Sequence, residues 1–199
     1  MRDTASRRDR AASLGFLFFI VCAASGIAAQ TRTPEAIIRQ WPQQASATAK
    51  LMIEAYGKPD QFDANSLVWF NNGSWKRTIV YRKALRRGPG GKDGAFLQQT
   101  IGYLLPADRV ASLERFSPMI SVSATGGELS FISESEATNR LALNLADEIV
   151  TGKRTVADAR SFFAKTHRLA NAGKSSSYLE GLRFDVDNAR SIIPTGADQ

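Results

Sequence analysis

Four arginines (Arg2, Arg7, Arg8 and Arg10) are followed by an uncharged stretch from Ala11 to Thr31. This feature most limits what the chain can fold into, because it sets the first thirty or so residues apart from any globular core. The stretch is most apolar over Leu14 to Val21 and then softens into Ala23-Ala24-Ser25-Gly26-Ile27-Ala28-Ala29. Positive charge, an apolar run and small residues in that order are the parts of a secretory signal peptide. Cleavage after Ala28 and cleavage after Ala29 both leave acceptable small residues, and the choice stays open. The alternative is an uncleaved inner-membrane anchor, since the uncharged stretch is long enough to cross a hydrocarbon core as a helix. Its second half is too rich in Ala, Gly and Ser for a strong span.

Two special export routes fit less well. Ser6-Arg7-Arg8 starts like a twin-arginine signal, but Asp9-Arg10-Ala11-Ala12 lacks the apolar pair that should come next. Cys22 follows Phe19-Ile20-Val21, where a lipid-acceptor cysteine needs a small residue before it. Cys22 is the single cysteine of the chain. The exported part therefore has no disulfide to rely on and must be held by its core. About 170 residues are enough for one such domain. The leader holds four Arg and two Asp of a chain at +7, leaving the remainder at +5. That mild excess permits weak contact with anionic lipid and does not point to nucleic acid.

The expected organisation is a leader at 1–29, one globular domain at 30–190 and a mobile tail at 191–199. Thr33-Pro34-Glu35 opens a helix by hydroxyl cap, Pro at the first position and an acid at the positive dipole end. A second helix carries Ala45, Ala49, Met52, Ile53 and Tyr56 on one face, and Gly57 stops it. Leu67–Phe70 and Ser74–Arg82 form a hairpin across Asn71-Asn72-Gly73. Period-two spacing puts Trp75, Arg77, Ile79 and Tyr81 on one face. After the basic loop Arg86–Gly94 comes a strand from Phe96 to Leu105, then a short helix with Val110, Leu113 and Phe116 inward. A second hairpin joins Ile120–Ala124 to Glu128–Ile132.

Ser133 with Glu136 reads as a capping box for a helix whose Leu141, Ala142, Leu145 and Ile149 form an apolar stripe, widened by Leu143, Ala146 and Val150. Thr155 with Asp158 caps the next, in which Val156, Ala159, Phe162, Phe163 and Ala170 pack inward. Tyr178–Val186 reads as a closing strand. Helices and antiparallel strands in blocks, without βαβ alternation, give an α+β fold: a short sheet of two hairpins packed with three to five helices.

The runs Met52–Asp60, Leu67-Val68-Trp69, Trp75–Tyr81 and Asn139–Lys153 together resemble a group of uncharacterised bacterial exported proteins. Residues 43–82, with a helix, a Gly-x-Pro step and a Trp-bearing strand pair, are locally similar to the SmpA/OmlA (BamE-like) envelope module. That resemblance implies a protein that acts through contacts with other envelope proteins.

Catalytic patterns are scarce. His167, the only histidine, lies on the inward side of a helix and reads as a core-edge residue. No Gly-x-Ser-x-Gly elbow occurs. Two phosphate-loop lookalikes, around Gly91-Lys92 and Gly173-Lys174-Ser175, lack the first glycine. Asp60, Asp63, Glu134, Glu136, Asp147 and Glu148 are the carboxylates available to a hydrolase, each with a cap, turn or solvated-helix reading beside the catalytic one. The remaining candidates are for binding: Trp75, Arg77 and Tyr81 as an aromatic and guanidinium surface, and Arg86, Arg87 and Lys92 as a contact for phosphate or anionic lipid. The expectation is an exported, non-enzymatic, cofactor-free periplasmic or secreted protein that binds a partner, with an envelope protein as the candidate. The rivals are an exported hydrolase using carboxylates or a lone Ser, and a membrane-tethered domain contacting anionic phospholipid.

Overall fold

A computed structural model describes residues 33–87, 94–123 and 125–186. The leader, Lys92 and the tail after 190 lie outside the described residues. Thr33 caps α1 (Pro34–Ile38), its hydroxyl accepting from the Ala36 amide. α2 (Gln43–Tyr56) starts after Pro42 and ends at Gly57, whose φ of 74° suits only a residue without Cβ. Six strands then build one antiparallel sheet. β1 (Gln61–Phe62), β2 (Ser66–Asn72) and β3 (Trp75–Tyr81) come first, followed by β6 (Leu97–Gly102), β7 (Ile120–Ser123) and β8 (Glu128–Ser133). Their order is β1-β2-β3-β6-β8-β7. The basic loop is anchored by a separate ribbon, β4 (Arg86–Arg87) with β5 (Gly94–Ala95). An α+β fold with an open antiparallel sheet is thus established, with six strands in that sheet where two hairpins were expected and six α-helices among the described residues where three to five were expected.

All the covering helices lie on one side. Leu67, Trp69, Thr78, Val80, Leu97, Gln99, Ile101, Leu129 and Phe131 share that side by register. Under the β2–β3 half, α2 buries Ala45, Ala49 and Met52 against Leu67, Trp69, Val80 and Leu97, with Ile38 and Trp41 added from α1 and its exit. Under the other half, α4 (Glu136–Val150) packs on Ile101, Leu129 and Phe131. Leu141, Leu143 and Leu145 are fully buried, as are Ala142 and Ala146. A helix apolar around most of its circumference must be central, since no arc is left for water. α3 (Val110–Phe116) and α5 (Val156–Asn171) flank it, with Phe163 touching Phe116 and Phe131 edge-on or tilted.

A polar seam separates the two apolar clusters. Asn139 donates to Gln99 Oε1 at 2.9 Å and to the Leu97 carbonyl at 3.3 Å, while Ser133 donates to Asn139 Oδ1 at 2.6 Å. Gln99 and Asn139 are fully buried. Such a layer is tolerated only because its members satisfy one another.

Two expectations are corrected. Ser133 is not the helix cap: it ends β8, and Ser135 caps α4 by accepting from the Thr138 amide. Tyr178–Val186 is not a strand. α6 (Ser177–Glu180) and an irregular segment follow, because the Asn144 side chain supplies the partners a neighbouring strand would have given. Its amide donates to the carbonyls of Tyr178 (3.1 Å) and Gly181 (2.9 Å), and its oxygen accepts from the Arg183 amide (2.7 Å). Leu182, Phe184 and Val186 then pack on the larger cluster.

Candidate functional site

The aromatic hairpin divides between two environments. Trp75 is 2 % exposed and belongs to the core. Its indole N–H points at the Tyr56 hydroxyl and at Glu136 Oε1, both at 3.2 Å. Tyr56 ends α2 and Glu136 begins α4, so Trp75 faces the helices. Regular pairing lapses between Phe70–Arg77 and Asn72–Trp75, where Asn71 takes φ 50°, and beyond that lapse Trp75 lies on the helix side. Glu136 also receives Tyr56 O–H at 2.8 Å and the Arg140 guanidinium. Burial first, and then the Glu136 carboxylate, push the Tyr56 phenol up to about 12. Tyr56 packs against both apolar clusters. This knot fastens α2, β3 and α4 together. The expected grouping of Trp75 with Arg77 and Tyr81 on one face is therefore corrected.

Arg77 and Tyr81 do lie together, on the face turned away from the helices. Tyr81 O–H donates to Gln98 Oε1 at 2.8 Å, and the Gln98 amide donates to Ser130 Oγ at 3.2 Å. Arg77 and Lys76 reach Glu128 at 3.0 and 2.7 Å. The Lys76 ammonium, opposed by partial burial and joined by Arg77, holds the Glu128 carboxyl below its ordinary range. Phe70, the cross-strand partner of Arg77, is 41 % exposed. It is the residue the sequence reading missed, and its signal was its place opposite Arg77 at the end of an apolar run. Val68 and Ile79, paired across the same strands, are partly exposed.

Arg86 and Arg87 are placed by backbone pairing with Ala95 and Gly94, apart from the main sheet. Lys92 lies outside the described residues, so the expected basic contact is placed only at its base.

The six candidate carboxylates are scattered, and each has a partner. Asp60 accepts from the Phe70 amide at 2.7 Å, covering an edge of β2. Asp63 closes a turn on the amides of Asn65 and Ser66. Glu134 meets His167 Nε2 at 2.9 Å and Thr138 Oγ1 at 2.7 Å. Burial opposes ionisation of Glu134, but these hydrogen bonds outweigh it and lower its pKa. His167 stacks flat on Phe163, at the rim of the core. Asp147 accepts from Tyr103 O–H at 3.0 Å; burial raises the pKa of both groups. Glu148 binds Arg154 and Tyr178.

Two hollows open at the surface. One, about 390 Å³, runs between the β2–β3 turn and the C-terminal segment, with Trp75, Lys76, Phe184 and Asp185 among its walls. The other, about 250 Å³, lies between α5 and the start of α6. Among the described residues, no group of three or more His, Cys, Asp or Glu is placed to hold a metal ion, and no helix is long and apolar enough to cross a membrane. No family model, curated protein or solved structure matches this chain.

Proposed function

We propose that the chain is an exported, non-enzymatic binding protein of the bacterial cell envelope, and that it contacts a protein partner through the sheet face opposite the helices. The observation that carries this reading is Phe70, a large apolar side chain exposed on an ordered strand beside Arg77 and Tyr81. Aromatic and guanidinium groups are the side chains that dominate protein interfaces. Here the bonds to Glu128 and Gln98 fix the Arg77 and Tyr81 heads in place, so little rotamer freedom remains to be lost on binding. Val68 and Ile79 extend the apolar part of the surface. The N-terminal arginines and the uncharged run that follows support export.

A photo-crosslinking residue at position 70, with a control at Leu51 on the exposed side of α2, tests the contact in cells. A discrete adduct from position 70 that is absent from position 51 is the expected result. Equal labelling from both positions, or none from 70, contradicts it. Export is tested by intact mass: the periplasmic form should begin between Ala29 and Thr31. A Met1 start confined to membrane pellets would favour the anchor.

A further inference from the structure

The amphipathic division of α5 leaves an outer arc that the proposed sheet-face contact does not use. Ala159 and Thr166 are buried and Phe162 and Phe163 pack inward, so Arg160, Lys165, Arg168 and Leu169 are turned to solvent. After Gly173, at φ 77°, the chain folds back, and the Lys174 amide donates to the Leu169 carbonyl at 3.0 Å. That return closes a hollow of about 250 Å³. Phe162, Lys165, Thr166 and Leu169 line it from the helix, and Lys174, Ser175 and Ser176 from the return.

The charge around this hollow is unbalanced. Lys76, Arg77, Arg140 and Arg154 each have a carboxylate within salt-bridge distance, whereas no described carboxylate pairs with Lys165 or Lys174. Glu180 accepts the Ser175 hydroxyl and brings one carboxylate to the return, against the two ammonium groups of Lys165 and Lys174, while Glu148 is matched by Arg154. Leu169, 44 % exposed, adds apolar surface at the same opening, and Phe162 adds a ring.

We propose that this hollow binds a small amphiphilic anion, a phosphate or carboxylate head on an apolar body, with Lys165 and Lys174 at the head and Phe162 and Leu169 against the body. Both halves of the ligand are required. Two solvent-exposed ammonium groups hold a bare anion weakly, and an opening of this size covers little of an uncharged chain. Phosphate monoesters and the headgroup of phosphatidic acid share this chemistry.

Titration of the purified protein with octyl phosphate, below its micelle concentration and followed by amide NMR, tests the site. Inorganic phosphate and octanol are the matched half-ligands. Octyl phosphate should bind more tightly than either, with shifts centred on residues 162–176. The double variant Lys165→Gln/Lys174→Gln should weaken octyl phosphate by roughly tenfold or more, at up to about fivefold per exposed charge. Leu169→Ser should weaken octyl phosphate and leave inorganic phosphate unchanged. Lys50→Gln, on exposed α2, should change neither. Shifts spread over the basic surface, or equal losses from Lys50→Gln and the lysine pair, would overturn the site. Vesicles containing phosphatidic acid separate the two sources. Co-sedimentation that the double variant loses assigns a membrane headgroup, and octyl phosphate binding without co-sedimentation assigns a soluble phosphate ester.

Discussion

The two faces of the one sheet use similar side chains for opposite ends. On the helix side, Trp69 and Trp75 are each 2 % exposed, and their indole N–H groups bond to Gly57 O and to the Tyr56–Glu136 pair. On the other side, Phe70 stands exposed beside Arg77 and Tyr81, whose polar heads are tied across the strands. The difference teaches that an aromatic in a strand does not declare its role by type or even by parity. Which elements pack over it decides. Trp75 is interior because α2 and α4 end and begin beside it.

The largest expected effect lies on the helix side. Leu145→Ala removes a fully buried side chain at the centre of α4 and should cost about 2–5 kcal/mol through lost transfer energy and the cavity left behind. An unchanged urea midpoint would mean that α4 is not the centre of this core.

That helix was legible in advance because its apolar residues occupy too many angles for a surface helix, although its expected cap, Ser133, belongs to β8 and Ser135 caps it instead. So were α1, from its Thr33 cap, α2, from its stripe and the Gly57 stop, and α5, where the Thr155 cap, a stripe and the Gly173 stop agree. The hairpin strands followed from alternation. β1 and the β4–β5 ribbon were not legible, since two residues carry no periodicity. The C-terminal segment misled for another reason: Tyr178, Leu182, Phe184 and Val186 do pack inward, but Asn144 on a helix satisfies the backbone there. Asn144, one of several polar residues among the buried positions of α4, was the available sign. The candidate site was half legible. Arg77 and Tyr81 share a face as period two requires, while Trp75, beyond the lapse in pairing, turns to Tyr56 and Glu136 on the helix side.

A next, smaller effect tests the seam that separates the two clusters. Asn139→Ala leaves Gln99 Oε1 and the Ser133 hydroxyl without their buried partner, and should cost about 1–3 kcal/mol in a urea titration. A neutral result would indicate that the seam admits water and that the two clusters move independently.

Smaller still is a pH effect at the far end of α4. Burial raises the Asp147 pKa in the folded protein, so the folded state holds that proton more tightly than the unfolded chain does. Stability associated with this group is therefore full below the ordinary aspartate range and declines as pH rises through the folded value. Asp147→Asn keeps an oxygen for the Tyr103 hydroxyl and removes the charge. Its melting temperature relative to the parent should rise between pH 3 and pH 7, by an amount worth about 1 kcal/mol or less. A fall over that interval would show that ionised Asp147 is favoured in the fold.

Acrylamide quenching of tryptophan fluorescence tests the division of the two faces most directly. Trp41, Trp69 and Trp75 are 6 %, 2 % and 2 % exposed, so the folded parent should be quenched several-fold less than the urea-unfolded chain. Phe70→Trp places a fourth indole on the opposite face and should add a strongly quenched component without shifting the urea midpoint. A parent quenched as readily as the unfolded chain, or a Phe70→Trp variant with no added accessible component, would contradict the assignment of Trp75 to the interior and Phe70 to the contact surface.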